Sequence, residues 1–169
     1  MGAGKTVVGR PLARKLRMSF VDADSEIEEQ EGMSISEIFA EKGEPYFRTI
    51  EQRVINSVLE TDPHVLASGG GAFIQPELRG IIKKKAISVW LKADLDIIYD
   101  RITRKNNRPL LEVEDKRKTL VALMEKRYPV YAEADITVLS NDDTPEPVVK
   151  RILDALDDYF KMNGSEHAE

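Results

Sequence analysis

Met1-Gly2-Ala3-Gly4-Lys5-Thr6 is the stretch that decides the fold, and a run with helical spacing follows it directly. Gly4, Lys5 and Thr6 fill the last three places of the phosphate-binding pattern G-x-x-x-x-G-K-[ST]. In such a loop the glycines let backbone N–H groups close on phosphate oxygens. The lysine reaches the β- and γ-phosphates, and the hydroxyl ligates Mg²⁺. The helix that follows adds its positive amino end. Set against this chain, the first glycine of the pattern falls two positions before Met1, and the strand leading into the loop falls earlier still. The expectation is a nucleotide-phosphate site whose loop is already under way at the first residue. The duller reading, a glycine-rich tail before an ordinary helix, loses ground once the rest of the chain is considered.

That rest alternates strand and helix. Thr6–Leu16 reads as a helix with Val7, Val8, Leu12 and Leu16 inward. Ser19-Phe20-Val21 reads as a strand ending at Asp22-Ala23-Asp24, followed by an acidic helix closed at Gly32. Ser34 and Glu37 form a capping box for a short helix that stops at Gly43. Glu44–Leu59 has an apolar stripe of Phe47, Ile50, Val54 and Leu59. His64–Ser68 is a buried strand running into Gly69-Gly70-Gly71. Next come a helix over Pro76–Lys84, a strand over Ala86–Leu91 and a helix over Asp94–Thr103. A basic irregular stretch, Arg104–Leu111, precedes a helix over Asp115–Tyr128 broken by Pro129. A strand over Asp135–Leu139, a helix over Pro145–Tyr159 and a disordered tail over 162–169 complete the chain. Strands separated by helices predict a parallel sheet covered on both faces.

At 169 residues the chain is expected to form one domain, long enough to bury a core. With no cysteine it has no disulfide framework and no thiolate metal site. A net charge of −5 disfavours a general nucleic-acid binder, so locally placed arginines carry more meaning than the total. No apolar run approaches the roughly 18 residues of a membrane span. The expectation is a cytoplasmic monomer acting on small molecules, with no membrane or nucleic-acid partner.

Several residues carry candidate chemistry. Carboxylates at strand carboxyl ends point into the ligand crevice of an open α/β sheet. Of Asp22 and Asp24, one could hold Mg²⁺ or its water and the other could take a proton from an attacking hydroxyl. The same pair also reads as an ordinary helix start. Gly69-Gly70-Gly71 lets a backbone approach a ligand, or simply turns. Arg48, Arg101, Arg104, Arg108 and Arg127 offer forks suited to carboxylate and phosphate, though any single one is more often a solvated surface residue.

Taken in order, these motifs resemble shikimate kinase. The run is Gly2-Ala3-Gly4-Lys5-Thr6, Asp22-Ala23-Asp24, Gly43-Glu44 with Phe47-Arg48 and Glu51, and Gly69-Gly70-Gly71-Ala72. It continues with Arg108-Pro109-Leu110-Leu111 and Arg127-Tyr128-Pro129-Val130-Tyr131. The resemblance covers Met1 to about Tyr159. It implies the three-layer α/β/α P-loop kinase fold of the nucleoside monophosphate kinase type, with a parallel sheet. It also implies ATP-dependent phosphorylation of the shikimate 3-hydroxyl on the route to chorismate. ATP would be co-substrate and Mg²⁺ the metal. By the resemblance, Asp24 binds the shikimate hydroxyls and acts as base, and Lys5 and Arg108 complete the catalytic set. Arg48 and Arg127 clamp the shikimate carboxylate, and Gly69, Gly70 and Gly71 line its ring. Gly2, Ala3, Gly4, Lys5, Thr6 and Val7 hold nucleotide phosphates, Arg101 packs on adenine, and Thr6 with Asp22 orders the metal. Arg104–Leu111 is the lid, and Ser140–Pro145 matches the adenine loop weakly.

The family has a central strand before the loop. Without it, the neighbours on both sides keep unpaired edges, and several apolar side chains lose about 1.5–3 kcal/mol each of burial. Total stability is only about 5–15 kcal/mol. The chain as given is therefore expected to be a poor kinase, and one extended by such a strand an active one. Two other readings stand beside the leading one: another small P-loop kinase of the gluconate type, and an inactive fragment that binds no ATP.

Overall fold

A computed structural model describes residues 2–103, 115–141 and 144–164. The lid segment, including Arg104 and Arg108, lies outside the described residues, as do 165–169. Seven helices and four strands are described: α1 Lys5–Leu16, β1 Ser19–Asp22, α2 Ala23–Glu31, α3 Ile35–Val58, β2 His64–Ala67, α4 Pro76–Lys85, β3 Val89–Lys92, α5 Leu95–Thr103, α6 Lys116–Tyr131, β4 Ile136–Leu139 and α7 Pro145–Gly164. The strands form two parallel pairs. β1 lies on β2 with Ser19 opposite His64, and β3 lies on β4 with Val89 opposite Ile136. Among the described residues, β2 and β3 do not pair with each other.

Alternation along the strands builds the three layers. Val65, Val89 and Leu91 pack with Val8 and Leu12 of α1 and with Val148, Val149 and Ile152 of α7. Their neighbours point the other way. Leu66 joins Ile55 of α3 and Leu78 and Ile82 of α4, while Trp90 meets Tyr128 of α6 edge-on at 4.9 Å between ring centres. Period-two alternation thus gives each strand pair a helix layer on both faces. Satellite clusters lie between α2 and α3 around Ile27, Ile38 and Phe47, and between α5 and α6 around Ile98 and Leu120.

Local signals place most boundaries. Ser34 and Glu37 make the capping box that starts α3. Gly32 closes α2 in the left-handed conformation at φ 64°. The short helix and its successor, expected as two, run on as one element with a kink at Gly43, where φ is 81° and ψ 169°. Only glycine takes that backbone without strain.

Four expectations need correction. Val7 is 54% exposed, because the buried face of α1 runs through Val8, Gly9, Leu12 and Ala13, about 100° round the helix. Pairing in β3 starts at Val89, since Ala86 to Ser88 are needed to leave α4 and reach Asp135. There the Ser88 amide donates to the Asp135 carboxylate at 2.8 Å. Helix α6 continues through Pro129 to Tyr131. A proline there removes one helical hydrogen bond. Packing of Tyr128 and Tyr131 around Trp90 holds the last turn together regardless. Helix α7 extends to Gly164, beyond the expected start of the tail at 162.

Ile55 is fully buried between α3, α4 and β2. Ile55→Ala should cost about 2–5 kcal/mol of stability, whereas Val7→Ala should stay within about 0.5 kcal/mol. Urea unfolding of both variants measures the contrast.

Candidate active site

The carboxyl ends of β1 and β2 and the amino end of α1 meet at one place. Gly4, at φ 84°, turns the chain into α1 in a backbone that other residues rarely adopt. Two residues on, the Thr6 hydroxyl donates to Asp22 Oδ2 at 2.8 Å. Asp22 Oδ1 accepts from the Asp24 amide at 3.2 Å, capping α2. Asp22 therefore acts as helix cap and as partner of the loop hydroxyl at once, so the helix-start reading of Asp22-Ala23-Asp24 holds and leaves Asp22 beside the phosphate loop. The Thr6 hydroxyl and Asp22 carboxylate are hard oxygen donors of the kind Mg²⁺ takes. Among the described residues no group of three or more His, Cys, Asp or Glu forms a cage. That donor set fits Mg²⁺ held by one or two protein oxygens plus substrate phosphates.

The Gly69–Gly71 turn is built against charged side chains. A Cβ on Gly69 would sit 2.7 Å from Glu51 Oε1 and 3.4 Å from Asp24 Oδ1. A Cβ on Gly71 would fall 2.5 Å from Arg48 Cζ. The glycines are needed here because acidic and guanidinium groups occupy the space where side chains would go. Arg48 Nη1 donates to Glu51 Oε2 at 2.7 Å, and Nη2 and Nε donate to Glu44 Oε1 at 2.9 and 3.2 Å. Gln75 Nε2 also donates to Glu51 Oε2, at 2.9 Å. The Glu51 side chain is 1% exposed, and its Oε1 has no hydrogen-bond partner among the described residues. Burial pushes the Glu51 carboxyl up; Arg48 draws it back, and the charge of Asp24 raises it further.

Helix α6 brings Arg127 to the same turn. The Tyr131 hydroxyl donates to the Gly70 carbonyl and lies within electrostatic reach of Arg127. Burial pushes the Tyr131 phenol up, while Arg127 and Arg48 pull it down, so both arginines lie within electrostatic reach of one hydroxyl. Tyr128 donates to the Ala93 carbonyl at 2.8 Å, and burial raises its phenol to about 12. It therefore stays a donor at neutral pH. On the far side, Arg101 Nη1 donates to the Ser140 carbonyl and Ser140 Oγ to the Ala3 carbonyl, both at 2.8 Å. Arg101, the Ser140 loop and the phosphate-loop residue Ala3 thus form one connected strip. Lys5 lines a cavity with Gly69, Gly70 and Arg127.

The structure brings together Thr6, Asp22, Asp24, Arg48, Gly69, Gly70, Gly71 and Arg127. It places Ala3 and Arg101 alongside. Arg108 lies outside the described residues. Sequence reasoning missed Gln75, quoted Glu51 and Tyr131 only as motif members without a role, and placed Ser140 only in the weakly matched adenine loop. Glu51 was within reach, because it lies three residues after Arg48 and so on the same helical face. Tyr131 meets Gly70 across 61 residues, which no local pattern reveals.

A glycine-rich loop opening a helix beside strand-end carboxylates, with an arginine-lined turn facing them, defines a P-loop kinase acting on a small acidic acceptor. Comparisons with known proteins agree. The profile of the shikimate kinase family matches residues 1–157. A shikimate kinase of Mesorhizobium japonicum is 49% identical over 163 residues, covering 96% of this chain and 80% of that protein. One from Caulobacter vibrioides is 53% identical over 156 residues, covering 92% and 78%. Among solved structures, shikimate kinase from Acinetobacter baumannii in complex with shikimate superposes with a TM-score of 0.87 at 38% identity, covering 100% of this chain and 91% of that one. A gluconokinase from Sinorhizobium meliloti reaches 0.67 at 15% identity, covering 99% and 93%, which speaks for the fold alone. This chain belongs to the shikimate kinase family.

Two predictions follow from the turn. Glu51 binds its proton more tightly folded than its ordinary value of 4.5 allows unfolded. Its stabilising effect is therefore complete below that pH and lost as pH rises through the lifted value. The stability difference between wild type and Glu51→Gln should decline as pH rises from the ordinary carboxylate range towards neutrality; unfolding curves across that range measure it. Gly71→Ala should push Arg48 out of place, costing about 1–3 kcal/mol as overpacking does, and weakening acceptor binding more than nucleotide binding in parallel titrations.

Proposed function

We propose that this chain transfers the γ-phosphoryl group of ATP to the 3-hydroxyl of shikimate. The observation that carries this reading is the convergence of Arg48, Arg127 and Asp24 on the Gly69–Gly71 turn, next to the Thr6–Asp22 pair. Family membership and a relative solved with shikimate support it.

The acceptor is a small polyol acid. Its carboxylate suits the forks of Arg48 and Arg127, each able to make two parallel hydrogen bonds. Arg48 already holds Glu44, which is half-exposed, so a ligand carboxylate can take that place while buried Glu51 keeps the guanidinium aimed. Gly69 to Gly71 let the ring approach the backbone. Asp24, whose carboxylate lies beside Gly69, is the group we assign to a ring hydroxyl. As the hydroxyl oxygen bonds the γ-phosphorus, the bond from that phosphorus to the β–γ bridging oxygen breaks. The hydroxyl proton passes to the Asp24 carboxylate, and ADP leaves. Little covalent chemistry falls to the protein; positioning and charge neutralisation carry most of the rate. Lys5 and the loop amides hold the phosphates, and Arg108 would add charge from the lid. Thr6 and Asp22 would hold Mg²⁺, which would supply further neutralisation of phosphate charge. Arg101 and the Ser140 loop would frame the adenine. The reading includes a monomeric working unit in the cytoplasm; no helix among the described residues is long and apolar enough to cross a membrane.

ADP release should depend on shikimate and be unaffected by gluconate. Release driven by gluconate instead would overturn the assignment in favour of the sugar-acid kinase. Arg48→Ala and Arg127→Ala should each weaken shikimate binding by about 1.5–3 kcal/mol, the loss of a charged hydrogen-bonded partner. ATP affinity should barely move. Titration of each substrate separately distinguishes the two effects.

A further inference from the structure

The backbone of Gly43 leaves the angle between the two limbs of α3 open. At φ 81° and ψ 169° it breaks the helical run, and Pro45 has no N–H with which to mend it. Contacts outside the helix must therefore set how the limb after Gly43 leaves the limb before it. That angle matters because Arg48 and Glu51 both lie on the second limb.

Glu31, the last residue of α2, spans the break. Its Oε2 accepts from Lys42 Nζ on the first limb at 3.2 Å and from the Tyr46 hydroxyl on the second at 2.9 Å. Its Oε1 accepts from Arg53 Nη2 at 3.3 Å, further along the second limb. Lys42 Nζ also donates to the Tyr46 hydroxyl at 3.2 Å and stands 4.6 Å from the centre of its ring. The Glu31 side chain is 10% exposed, and the bonds from Tyr46 and Lys42 hold its carboxyl below its ordinary value. A single exposed ion pair contributes little. Here one largely covered carboxylate holds three side chains from both limbs.

Neighbouring contacts leave the angle freer. Glu28 Oε1 accepts from the Ile35 amide at 2.9 Å, which ties α2 to the first limb alone. Phe39 and Phe47 meet across the kink at 4.7 Å between ring centres. Apolar contact is non-directional and sets closeness more than direction. Tyr46 and Arg53 share one face of the second limb, whereas Arg48 lies about 200° round from Tyr46. Holding the Tyr46 face therefore aims Arg48 from behind, towards the Gly69–Gly71 turn where it meets the surroundings of Asp24.

We propose that Glu31 is a positioning residue for the acceptor site: it clasps both limbs of α3 to the end of α2, and so sets Arg48 against Asp24 at the start of that same helix. The proposal rests on the acceptor reading given above and adds a residue to it. Glu31 acts through the limb, not on the ligand. Without the clasp the second limb samples several angles. Shikimate then binds only the fraction of chains with Arg48 in place, and its apparent affinity falls by that fraction.

The test titrates shikimate and ATP separately into the full chain carrying Glu31→Ala, Tyr46→Phe or both. Amide hydrogen exchange is followed at residues 44–51 without ligand. Glu31→Ala should weaken shikimate binding about fivefold and leave ATP binding within about twofold. Tyr46→Phe keeps the ring, loses one bond and should have a smaller effect of the same kind. The double variant should match Glu31→Ala alone, because both changes open one clasp. Exchange at 44–51 should be faster in Glu31→Ala, with α1 unchanged. A merely structural ion pair would lower the urea midpoint and leave the shikimate affinity of the folded chain as it was; that result overturns the proposal. Equal losses for both substrates, or losses that multiply in the double variant, overturn it as well. If Glu31→Ala does not fold, Tyr46→Phe decides by the same readouts. If the wild type binds no shikimate, the acceptor reading fails, and unchanged exchange at 44–51 then overturns the clasp separately.

Discussion

Everything in this molecule depends on one helix spanning two half-sheets. Among the described residues α1 packs on β1 and β2 and also on α7, which covers β4. Val8 and Leu12 sit in one apolar cluster with residues from β4 and α7 and with Val65 of β2. Among the described residues the strand pairs share no backbone ladder, and side-chain packing across α1 and α7 holds them beside each other. Hydrophobic packing is non-directional and less exacting than a backbone ladder. The same helix begins with the phosphate-loop residues, so the part that joins the half-sheets also aims the loop.

The acceptor side is governed by a second constraint, the buried carboxylate of Glu51. A charge so deeply buried is costly unless paired and hydrogen-bonded. Arg48 and Gln75 satisfy one oxygen, and the other faces Gly69 close to Asp24. The result is a guanidinium fixed by the protein before any ligand arrives, which lowers the ordering cost of binding. Tyr131, held on the Gly70 carbonyl, lies within electrostatic reach of Arg127. The glycine turn is therefore the shared floor of two arginines and an aspartate, and its lack of side chains follows from what surrounds it.

Much was readable without coordinates. The alternation of strand and helix, the capping box at Ser34, the glycine stops and the order of motifs depend on neighbours in the chain, and a linear pattern carries such information. The α/β class, the family and most candidate site residues followed from it. Reading failed where distant packing overrode a local rule. Pro129 ends a helix by its own chemistry, yet α6 passes through it because Trp90 holds Tyr128 and Tyr131. Val7 looks inward in a stripe of apolar residues, yet the buried face is set by what α7 and β4 offer to Val8 and Leu12.

What the sequence by itself determined is the set of parts: a phosphate loop, strand-end carboxylates, a glycine turn and arginines in family order. These are chemical identities at fixed spacings, and spacing survives in one dimension. Only the tertiary structure decided which parts meet. It set Thr6 on Asp22 across 16 residues, Gln75 on Glu51 across 24, Tyr131 on Gly70 across 61 and Ser140 on Ala3 across 137. It also made Glu51 a buried anchor beneath the glycine turn. Burial and edge pairing are properties of the packed chain: they depend on which distant residues displace water from a group, and no local window of sequence contains them.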